Sequence, residues 1–326
     1  MSPPPLLEVK NLRVEFPTRR GTLVAVDDVS FTIGRGEVLG VVGESGAGKS
    51  LTGMAIIGLL EPPGRIAAGE IRLAGERIDD LPPERMRRLR GRRIGAIFQD
   101  PLTSLNPLYT VGQQLTETIL THLPVSRQEA RERAMALLVE VGIPAPGQRI
   151  DQYPHQFSGG MRQRVVIALA LSAEPELIIA DEPTTALDVS IQAQIIGLLK
   201  RLCRERGAAV MLVTHDMGVI AETADRVAVM YAGRLAEVGP VREVIHAPKH
   251  PYTAGLMGSI PKVAQTRTQL AQIEGAMPRL NAIPAGCAFH PRCPRRFARC
   301  TQERPDLLAA GSSLAACWLH SDDGRR

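Results

Sequence analysis

The stretch that most restricts the fold of this chain is "GESGAGKS", which runs from Gly43 to Ser50. It fits the pattern G-x-x-x-x-G-K-[ST] and lies between an apolar segment, Val38–Val42, and a helical pattern. In such a unit, backbone N–H groups surround phosphate oxygens and the helix N-terminus adds its positive end. Lys49 is predicted to reach the β- and γ-phosphates of a nucleotide, and Ser50 to ligate Mg²⁺. The candidate nucleotide-binding residues are Gly43, Glu44, Ser45, Gly46, Ala47, Gly48, Lys49 and Ser50.

Polar side chains also follow other apolar segments. "LIIADEP" ends in Asp181 and Glu182, "MLVTHD" contains His215, and "IFQDP" contains Gln99. Alternating strands and helices predict parallel strands, whose carboxyl ends form the edge where ligands bind. Asp181 is predicted to hold Mg²⁺, directly or through water, and Glu182 to be the general base for an attacking water. His215 is expected at the γ-phosphate, and Gln99 to orient the water or sense Mg²⁺. The alternative for the Asp–Glu pair is a helix cap, which the complete phosphate loop disfavours. The alternative for His215 is a structural histidine, which its place at a strand end beside that of Asp181 disfavours.

The charge and composition of the chain restrict the kinds of partner that it is expected to bind. The formal net charge is +5, and the densest basic run is "RMRRLRGRR", from Arg85 to Arg93. A solvated helix face is the first interpretation of this run, and contact with anionic lipid or nucleic acid is the alternative. Aromatic residues make up 3%, which disfavours stacking on single-stranded nucleic acid. Because neither a long apolar run nor a secretory signal is apparent, the chain is expected to remain in the cytoplasm.

A second anion site is predicted at "FSGGMRQRVVIALAL". Ser158 and the amides of Gly159 and Gly160 stand at the start of a helical pattern, where the helix dipole favours negative charge. The chain already has one phosphate loop, so the ligand of this second site is expected to belong to a partner. A capped helix with a tight turn is the alternative.

Together these motifs, in this order, resemble the nucleotide-binding subunits of ATP-binding-cassette (ABC) transporters over about residues 6–240. The resemblance implies an α/β P-loop NTPase cassette at residues 1–240, with a mixed core sheet, an antiparallel β subdomain and a helical subdomain at about 105–172. It implies that two cassettes pair head to tail, with ATP and Mg²⁺ between them and the Ser158–Gly160 segment of one on the γ-phosphate of the other. Asp188, in "TTALD", falls in the dimer loop of this family. Phe16 matches the aromatic residue that stacks on adenine, and a core position is its alternative.

Three segments resemble one branch of the family, the dipeptide/oligopeptide importers, which also include nickel and glutathione importers. They are "SGGMRQR", "FQDPLTSLNP" and "HPYTAGLM". The signature departs from the commonest form at Phe157 and Met161. The resemblance implies a related but distinct second cassette, two transmembrane permeases, an extracytoplasmic substrate-binding protein and no nucleic acid. The chain would then lie peripherally on the cytoplasmic face of the inner membrane. A soluble ABC ATPase of DNA repair or translation control is the alternative.

The segment 241–326 is rich in proline and cysteine and is predicted to be a small, loop-rich region. Cys203 fits a helix core, whereas Cys287, Cys293, Cys300 and Cys317 are separated by five, six and sixteen residues. Cytosolic disulfides are uncommon, and a segment this small needs a staple such as a metal. The spacing does not match the short pairs of structural zinc and suits a [4Fe–4S] cluster, which similar importer cassettes carry. Zinc, unligated thiols and His290 as a replacement ligand remain alternatives.

Overall fold

The computed structural model describes residues 4–185, 188–259 and 273–321, with only the backbone described at 189 and 190. The chain divides into two compact units. The first unit contains the described residues of Met1–Leu7, Ile33–Val38 and Ala74–Val213. The second unit contains those of Glu8–Thr32, Leu39–Leu73 and Thr214–Arg326.

The strands of the described residues alternate with helices through most of the chain. The strands are β1 (Leu7–Thr18), β2 (Gly21–Ile33), β3 (Val38–Val42), β4 (Arg65–Leu73), β5 (Glu76–Arg77), β6 (Ile94–Ile97), β7 (Leu177–Asp181), β8 (Ala209–Val213), β9 (Arg226–Tyr231), β10 (Arg234–Pro240), β11 (Leu308–Ala310) and β12 (Ser313–Ala315). The helices are α1 (Lys49–Ile56), α2 (Pro83–Leu89), α3 (Pro101–Ser104), α4 (Val111–His122), α5 (Arg127–Glu140), α6 (Pro146–Arg149), α7 (Gly159–Leu171), α8 (Val189–Arg206), α9 (Met217–Thr223), α10 (Val241–His246), α11 (Pro251–Gly258) and α12 (Ala298–Gln302). Within the described residues, no helix combines the length and the apolar character needed to cross a bilayer.

The first unit contains three parallel strands in the order β8-β7-β6. Leu177 of β7 lies opposite Ala209 of β8, and the pairing runs to Asp181 opposite Val213. Strand β8 is buried along its length, and so is β7 up to Ala180. The helix α8 connects β7 to β8 and ends at Gly207, whose φ of 67° is the left-handed conformation that terminates helices. The predicted strand–helix–strand unit with parallel pairing is therefore confirmed.

Helices α3–α7 follow β6 in the same unit. Their starts show why the sequence folds this way. Thr110 and Gln113 form a reciprocal capping box on α4, and Ser126 accepts a hydrogen bond of 3.2 Å from the Glu129 N–H on α5. Helix α7 packs against α3, α4, α5 and β6. The first part of the basic run Arg85–Arg93 lies on α2, where Arg85 pairs with Glu76 at 2.9 Å on an exposed surface.

The second unit contains two sheets. One has β1 between β2 and β4, and the other has the order β11-β12-β10-β9-β3. Strand β3 is fully buried and pairs in parallel with β9, with Val42 opposite Val229. Strands β9 and β10 form a hairpin, in which Ala232 and Gly233 have φ of 48° and 80°. Positive φ at both turn positions matches the twist of a hairpin.

The segment after β10 is fastened to this second sheet. β12 pairs with β10 in antiparallel fashion, with Glu237 opposite Ala315, and β11 pairs with β12. Glu237 is fully buried, and its carboxylate accepts hydrogen bonds from the backbone N–H groups of Lys249 (3.0 Å) and His250 (2.8 Å). A buried carboxylate needs such donors. The cysteine-containing segment is therefore anchored at both ends.

Cys203 is 1% exposed on α8, and burial raises the pKa of its thiol to about 12, so its predicted core position is confirmed. Its low thiolate fraction at neutral pH makes it unreactive.

Glu176, just before β7, provides a test of stability in the first unit. Its carboxylate accepts hydrogen bonds from Arg93 (2.5 Å) and Arg35 (3.2 Å). The pKa of Glu176 lies below its ordinary 4.5, chiefly because of the hydrogen bond from Arg93. The charge of Arg93 and the contacts of Arg35 lower the pKa further, whereas burial raises it. Because the folded pKa is depressed, the stabilisation is complete above pH 4.5 and is lost as the pH falls through the folded pKa.

We expect Glu176→Gln to lower the free energy of unfolding at pH 7. The difference in the free energy of unfolding between this variant and the wild type should shrink as the pH falls below 4.5, since protonation of Glu176 removes the same charge from the wild type. Urea unfolding at a series of pH values measures this difference. Glu174→Gln, at a 61% exposed side chain, is the matched control. A difference that is constant down to strongly acidic pH would contradict the assignment.

Candidate nucleotide site

The loop between β3 and α1 has a backbone that only glycine adopts readily. Gly43, Gly46 and Gly48 have φ of 150°, 81° and 101°. A Cβ atom at Gly43 would also collide with the carbonyl oxygen of Met230 at the end of β9. The loop is thus closely packed against β9, and its curl requires glycine at these positions.

Lys49 lies inside this curl. The residue is 6% exposed, and its ammonium group donates to the carbonyl oxygens of Gly43 (2.9 Å) and Glu44 (3.1 Å). The N–H of Ala47 donates to Glu44 O at 3.1 Å, and the N–H of Gly233 donates to Ala47 O at 3.0 Å. A buried ammonium group held by neutral acceptors is well suited to an anionic ligand. Ser50 lies in the first turn of α1 and is exposed, whereas Ala47 is buried and Ser45 and Gly46 are exposed.

Glu44 in this loop is held by the C-terminal segment. Its N–H donates to the Tyr252 hydroxyl at 2.9 Å, and its carboxylate accepts from the Arg292 guanidinium at 3.0 and 3.1 Å. The sequence analysis assigned no role to Tyr252 or Arg292. The segment "HPYTAGLM", which contains Tyr252, was used only as a resemblance to peptide importers. No pattern in the sequence around it indicates a contact with residue 44, which is 208 positions away.

Glu182, in the first unit, has a strained backbone. It follows β7 with φ of 46°, in the left-handed region that non-glycine residues rarely adopt, and its N–H donates to Val213 O at 2.8 Å. Its Oε2 accepts from the Gln99 side-chain amide (3.3 Å) and the Thr185 hydroxyl (2.8 Å). The structure therefore brings together two predicted residues, Gln99 and Glu182, and adds Thr185, which the sequence analysis missed.

Asp181 and His215 stand at strand ends, as expected from their sequences. Asp181 is the last residue of β7. His215 is exposed and lies between β8 and α9. The next residue, Asp216, fixes the start of α9 by accepting from the N–H groups of Gly218 (2.7 Å) and Val219 (3.2 Å).

The predicted signature segment forms the N-terminus of α7. The Ser158 hydroxyl accepts from the Met161 N–H at 3.4 Å, so Ser158 caps the helix. Ser158 and Gly159 are exposed and Gly160 is half-buried. A Cβ atom at Gly160 would lie 3.0 Å from Ile191 Cγ2, a close contact within the chain. Asp188 is exposed at the N-cap position of α8, with no side-chain cap hydrogen bond.

Phe16 is half-buried on β1, in the second unit. Its ring lies beside the backbone at Gly64, where an added Cβ atom would be 2.7 Å from Phe16 Cε1. One ring edge therefore packs within the protein.

Cys287, Cys293, Cys300 and Cys317 line one small pocket, together with His290 and Trp318. Burial raises the pKa of Cys287 and of Cys293, and it raises that of Cys317 to about 11. Among the described residues, no group of three or more His, Cys, Asp or Glu side chains is arranged to hold a metal ion. The structure thus does not confirm the predicted [4Fe–4S] or zinc site, although the four thiols line the same pocket.

Known proteins resemble this chain over nearly its whole length. It is 49% identical to the dipeptide transport ATP-binding protein DppD of Bacillus subtilis (96% of this chain, 94% of the relative). It is 46% identical to DppD of Escherichia coli K12 (98% of each) and 47% identical to the oligopeptide transport ATP-binding protein OppD of Salmonella typhimurium (96% and 93%). The chain belongs to the ABC transporter family. The ABC transporter family model matches residues 26–185, and the model of the oligopeptide/dipeptide transporter C-terminal region matches residues 236–300.

Solved ABC cassettes share the fold. The dimeric structure of the cassette MJ0796 bound to ADP and Pi aligns with a TM-score of 0.65 at 30% identity, covering 72% of this chain and 99% of that one. CbiO1 of Clostridium perfringens aligns with a TM-score of 0.64 at 30% identity, covering 74% and 91%. The predicted P-loop NTPase cassette is confirmed, and the chain is an ATP-hydrolysing subunit of an ABC transporter. Its relatives are transport proteins, so a role in DNA repair or translation control is not favoured.

Proposed function

We propose that this ABC ATPase powers the import of dipeptides, oligopeptides or a related substrate. The observation that carries the proposal is the similarity of both parts of the chain to one kind of transporter. The relatives named for dipeptide and oligopeptide transport match over 93–98% of their length, and the C-terminal region has its own match at residues 236–300. The proposed division is a cassette at residues 1–240, with its helical subdomain at about 105–172, and a C-terminal region at 241–326.

The nucleotide is held by the loop from Gly43 to Ser50. Lys49 contacts the β- and γ-phosphates, Ser50 and Asp181 hold Mg²⁺, and Phe16 stacks on adenine. What supports this assignment is the glycine-dependent curl of the loop around the Lys49 ammonium group. Backbone N–H groups in such a curl form an anion cradle.

Glu182 is the general base that activates the attacking water. His215 and Gln99 contact the γ-phosphate and the water. The hydrogen bonds of Gln99 and Thr185 to Oε2 support this role, because they fix the orientation of the Glu182 carboxylate. A base must be oriented within hydrogen-bond reach of the proton that it removes.

A second cassette, a related but distinct chain, completes each ATP site. Ser158, Gly159 and Gly160 bind the γ-phosphate held by the partner, and Asp188 lies at the contact between cassettes. Exposure of Ser158 and Asp188 supports an intermolecular role. The similar cassette MJ0796 was solved as a dimer bound to ADP and Pi.

Two permease subunits dock beside the segment that follows Gln99. Leu102 and Leu108 are 61% and 79% exposed and Tyr109 is 47% exposed, which is unusual for large apolar residues close together in sequence. The chain is then peripheral on the cytoplasmic face of the inner membrane, and a substrate-binding protein outside the membrane selects the substrate.

The four-cysteine group is proposed to hold a [4Fe–4S] cluster, with zinc as the less favoured alternative. What supports this is that the four thiols line one pocket. A cluster takes one thiolate on each of its irons, so its ligands stand farther apart than the ligands of a single ion. Cys287, Cys293, Cys300 and Cys317 would be the ligands, and the group would staple a segment with little core of its own.

We expect Glu182→Gln to lower ATP turnover by about 10²–10⁴-fold, because the base is lost. ATP binding should persist, since the phosphate loop is unchanged. Steady-state hydrolysis with the partner cassette present and calorimetric ATP titration measure the two quantities. Glu174→Gln, an isosteric change at an exposed carboxylate, is the control. Full turnover by Glu182→Gln would contradict the assigned base.

We expect the anaerobically purified chain to be brown, with a broad absorbance of an iron–sulfur cluster at about 400 nm. Cys293→Ala should remove this absorbance, whereas Cys203→Ala should retain it, because Cys203 lies on α8 outside the four-cysteine pocket. Absorbance spectra with iron, sulfide and zinc analysis make the measurement. A colourless protein with stoichiometric zinc would rule out the cluster.

A further inference from the structure

Arg292 links the cysteine segment to the phosphate loop. It ends the 3₁₀ turn His290–Arg292, between Cys287 and Cys293. Its side chain is 8% exposed and donates to both carboxylate oxygens of Glu44, at 3.0 and 3.1 Å. A charge-assisted contact to both oxygens of a carboxylate restricts orientation more than a single hydrogen bond.

The guanidinium is fixed on its other side by carbonyl groups of the C-terminal segment and by two aromatic rings. Its remaining nitrogens donate to the backbone carbonyl oxygens of Glu274 (2.9 Å), Ile273 (3.3 Å) and Gly275 (3.3 Å). The guanidinium carbon lies 5.8 Å from the ring centre of Tyr231 and 5.9 Å from that of Phe289. Arg292 is therefore held in one orientation, in which it meets Glu44.

Tyr252 provides a second contact at the same residue. Its hydroxyl accepts from the Glu44 N–H at 2.9 Å. Its ring packs at 4.7 Å from Tyr231 and 5.4 Å from Phe289, the aromatic residues that lie beside Arg292. The backbone and the side chain of Glu44 are thus both held by one buried group of the C-terminal segment.

We propose that Arg292 is a positioning residue for ATP binding: through Glu44 it holds the phosphate loop in its binding conformation. The proposal rests on the proposed nucleotide site in that loop. The backbone oxygen of Glu44 accepts hydrogen bonds from the Lys49 ammonium group and from the Ala47 N–H. A displacement of Glu44 would therefore change the conformation of the whole phosphate loop. The C-terminal segment then sets the affinity for ATP from outside the cassette motifs.

Positioning and simple charge effects predict opposite results at Glu44. If the carboxylate acted only through its negative charge, Glu44→Gln would strengthen the binding of ATP. If the carboxylate positions the loop, the same change weakens binding, because the charge-assisted pair with Arg292 is lost. Arg292→Lys keeps the positive charge beside Glu44 but loses the planar fork of the guanidinium. A pure charge effect therefore predicts unchanged ATP binding in this variant, whereas positioning predicts weaker binding.

The experiment is calorimetric titration of the full chain with ATP and Mg²⁺. We expect Glu44→Gln, Arg292→Lys and Arg292→Gln each to weaken ATP binding, by about five- to tenfold for the complete loss of the pair. The double variant Glu44→Gln/Arg292→Gln should bind no more weakly than Arg292→Gln, since both changes break one interaction. With the partner cassette present, the KM for ATP should rise while kcat stays within about twofold. Arg304→Gln is the matched control, because Arg304 also pairs with a cassette carboxylate, Asp27 at 2.7 Å, and it should bind ATP as the wild type does.

ATP binding by Glu44→Gln that equals or exceeds that of the wild type would overturn the positioning role. This arm decides the question even if the Arg292 variants fail to fold, since Glu44 is only partly buried, with 30% of its side chain exposed. If the wild-type chain itself bound no ATP, the nucleotide site and the positioning role would both be refuted. Tight wild-type binding with no change in any variant would refute the positioning role alone.

Discussion

The ammonium group of Lys49 organises the phosphate loop in this structure. It lies inside the loop and donates to the carbonyl oxygens of Gly43 and Glu44, so the chain must turn around it. Burying an ammonium group is costly unless it is hydrogen-bonded, and carbonyl oxygens satisfy it less strongly than an anion does. The same packing that requires glycine at residue 43 holds the loop against Met230 of β9. The position of the loop is therefore set by the sheet as much as by the motif.

The C-terminal segment acts on this loop through the second unit. The pairing of β12 with β10 places the segment along the sheet, and the buried Glu237 carboxylate holds the chain at Lys249 and His250, just before α11. Tyr252, two residues later, then meets the N–H of Glu44. The segment "HPYTAGLM", which resembles peptide importers, is thus joined to the proposed nucleotide site by a short series of hydrogen bonds. The conformation of the loop in the cassette therefore depends on contacts made by the C-terminal segment.

The sequence predicts what depends on local pattern. Glycine spacing and the apolar segment Val38–Val42 predict β3, the loop and α1, and the alternation of strand and helix predicts the parallel pairing of β7 with β8. The contacts of Glu182 with Gln99 and of Glu44 with Arg292 join residues that are 83 and 248 positions apart. No local pattern encodes such pairs, because they depend on how the sheet and the C-terminal segment pack. For the same reason, the cysteine spacing predicts a metal centre that the side-chain geometry does not confirm.

The contact between Gln99 and Glu182 also connects the proposed catalytic base to the surface where a permease is proposed to dock. Gln99 donates to the Glu182 carboxylate, and the next residue, Asp100, fixes the start of α3 by accepting from the Leu102 N–H at 2.8 Å. Leu102 is one of the exposed apolar residues proposed to meet a permease. A displacement of this short segment therefore changes the donor on the proposed base without any intervening side chain. Since orientation controls proton transfer, a permease that moved α3 would act on the proposed base through the hydrogen bond between Gln99 and Glu182.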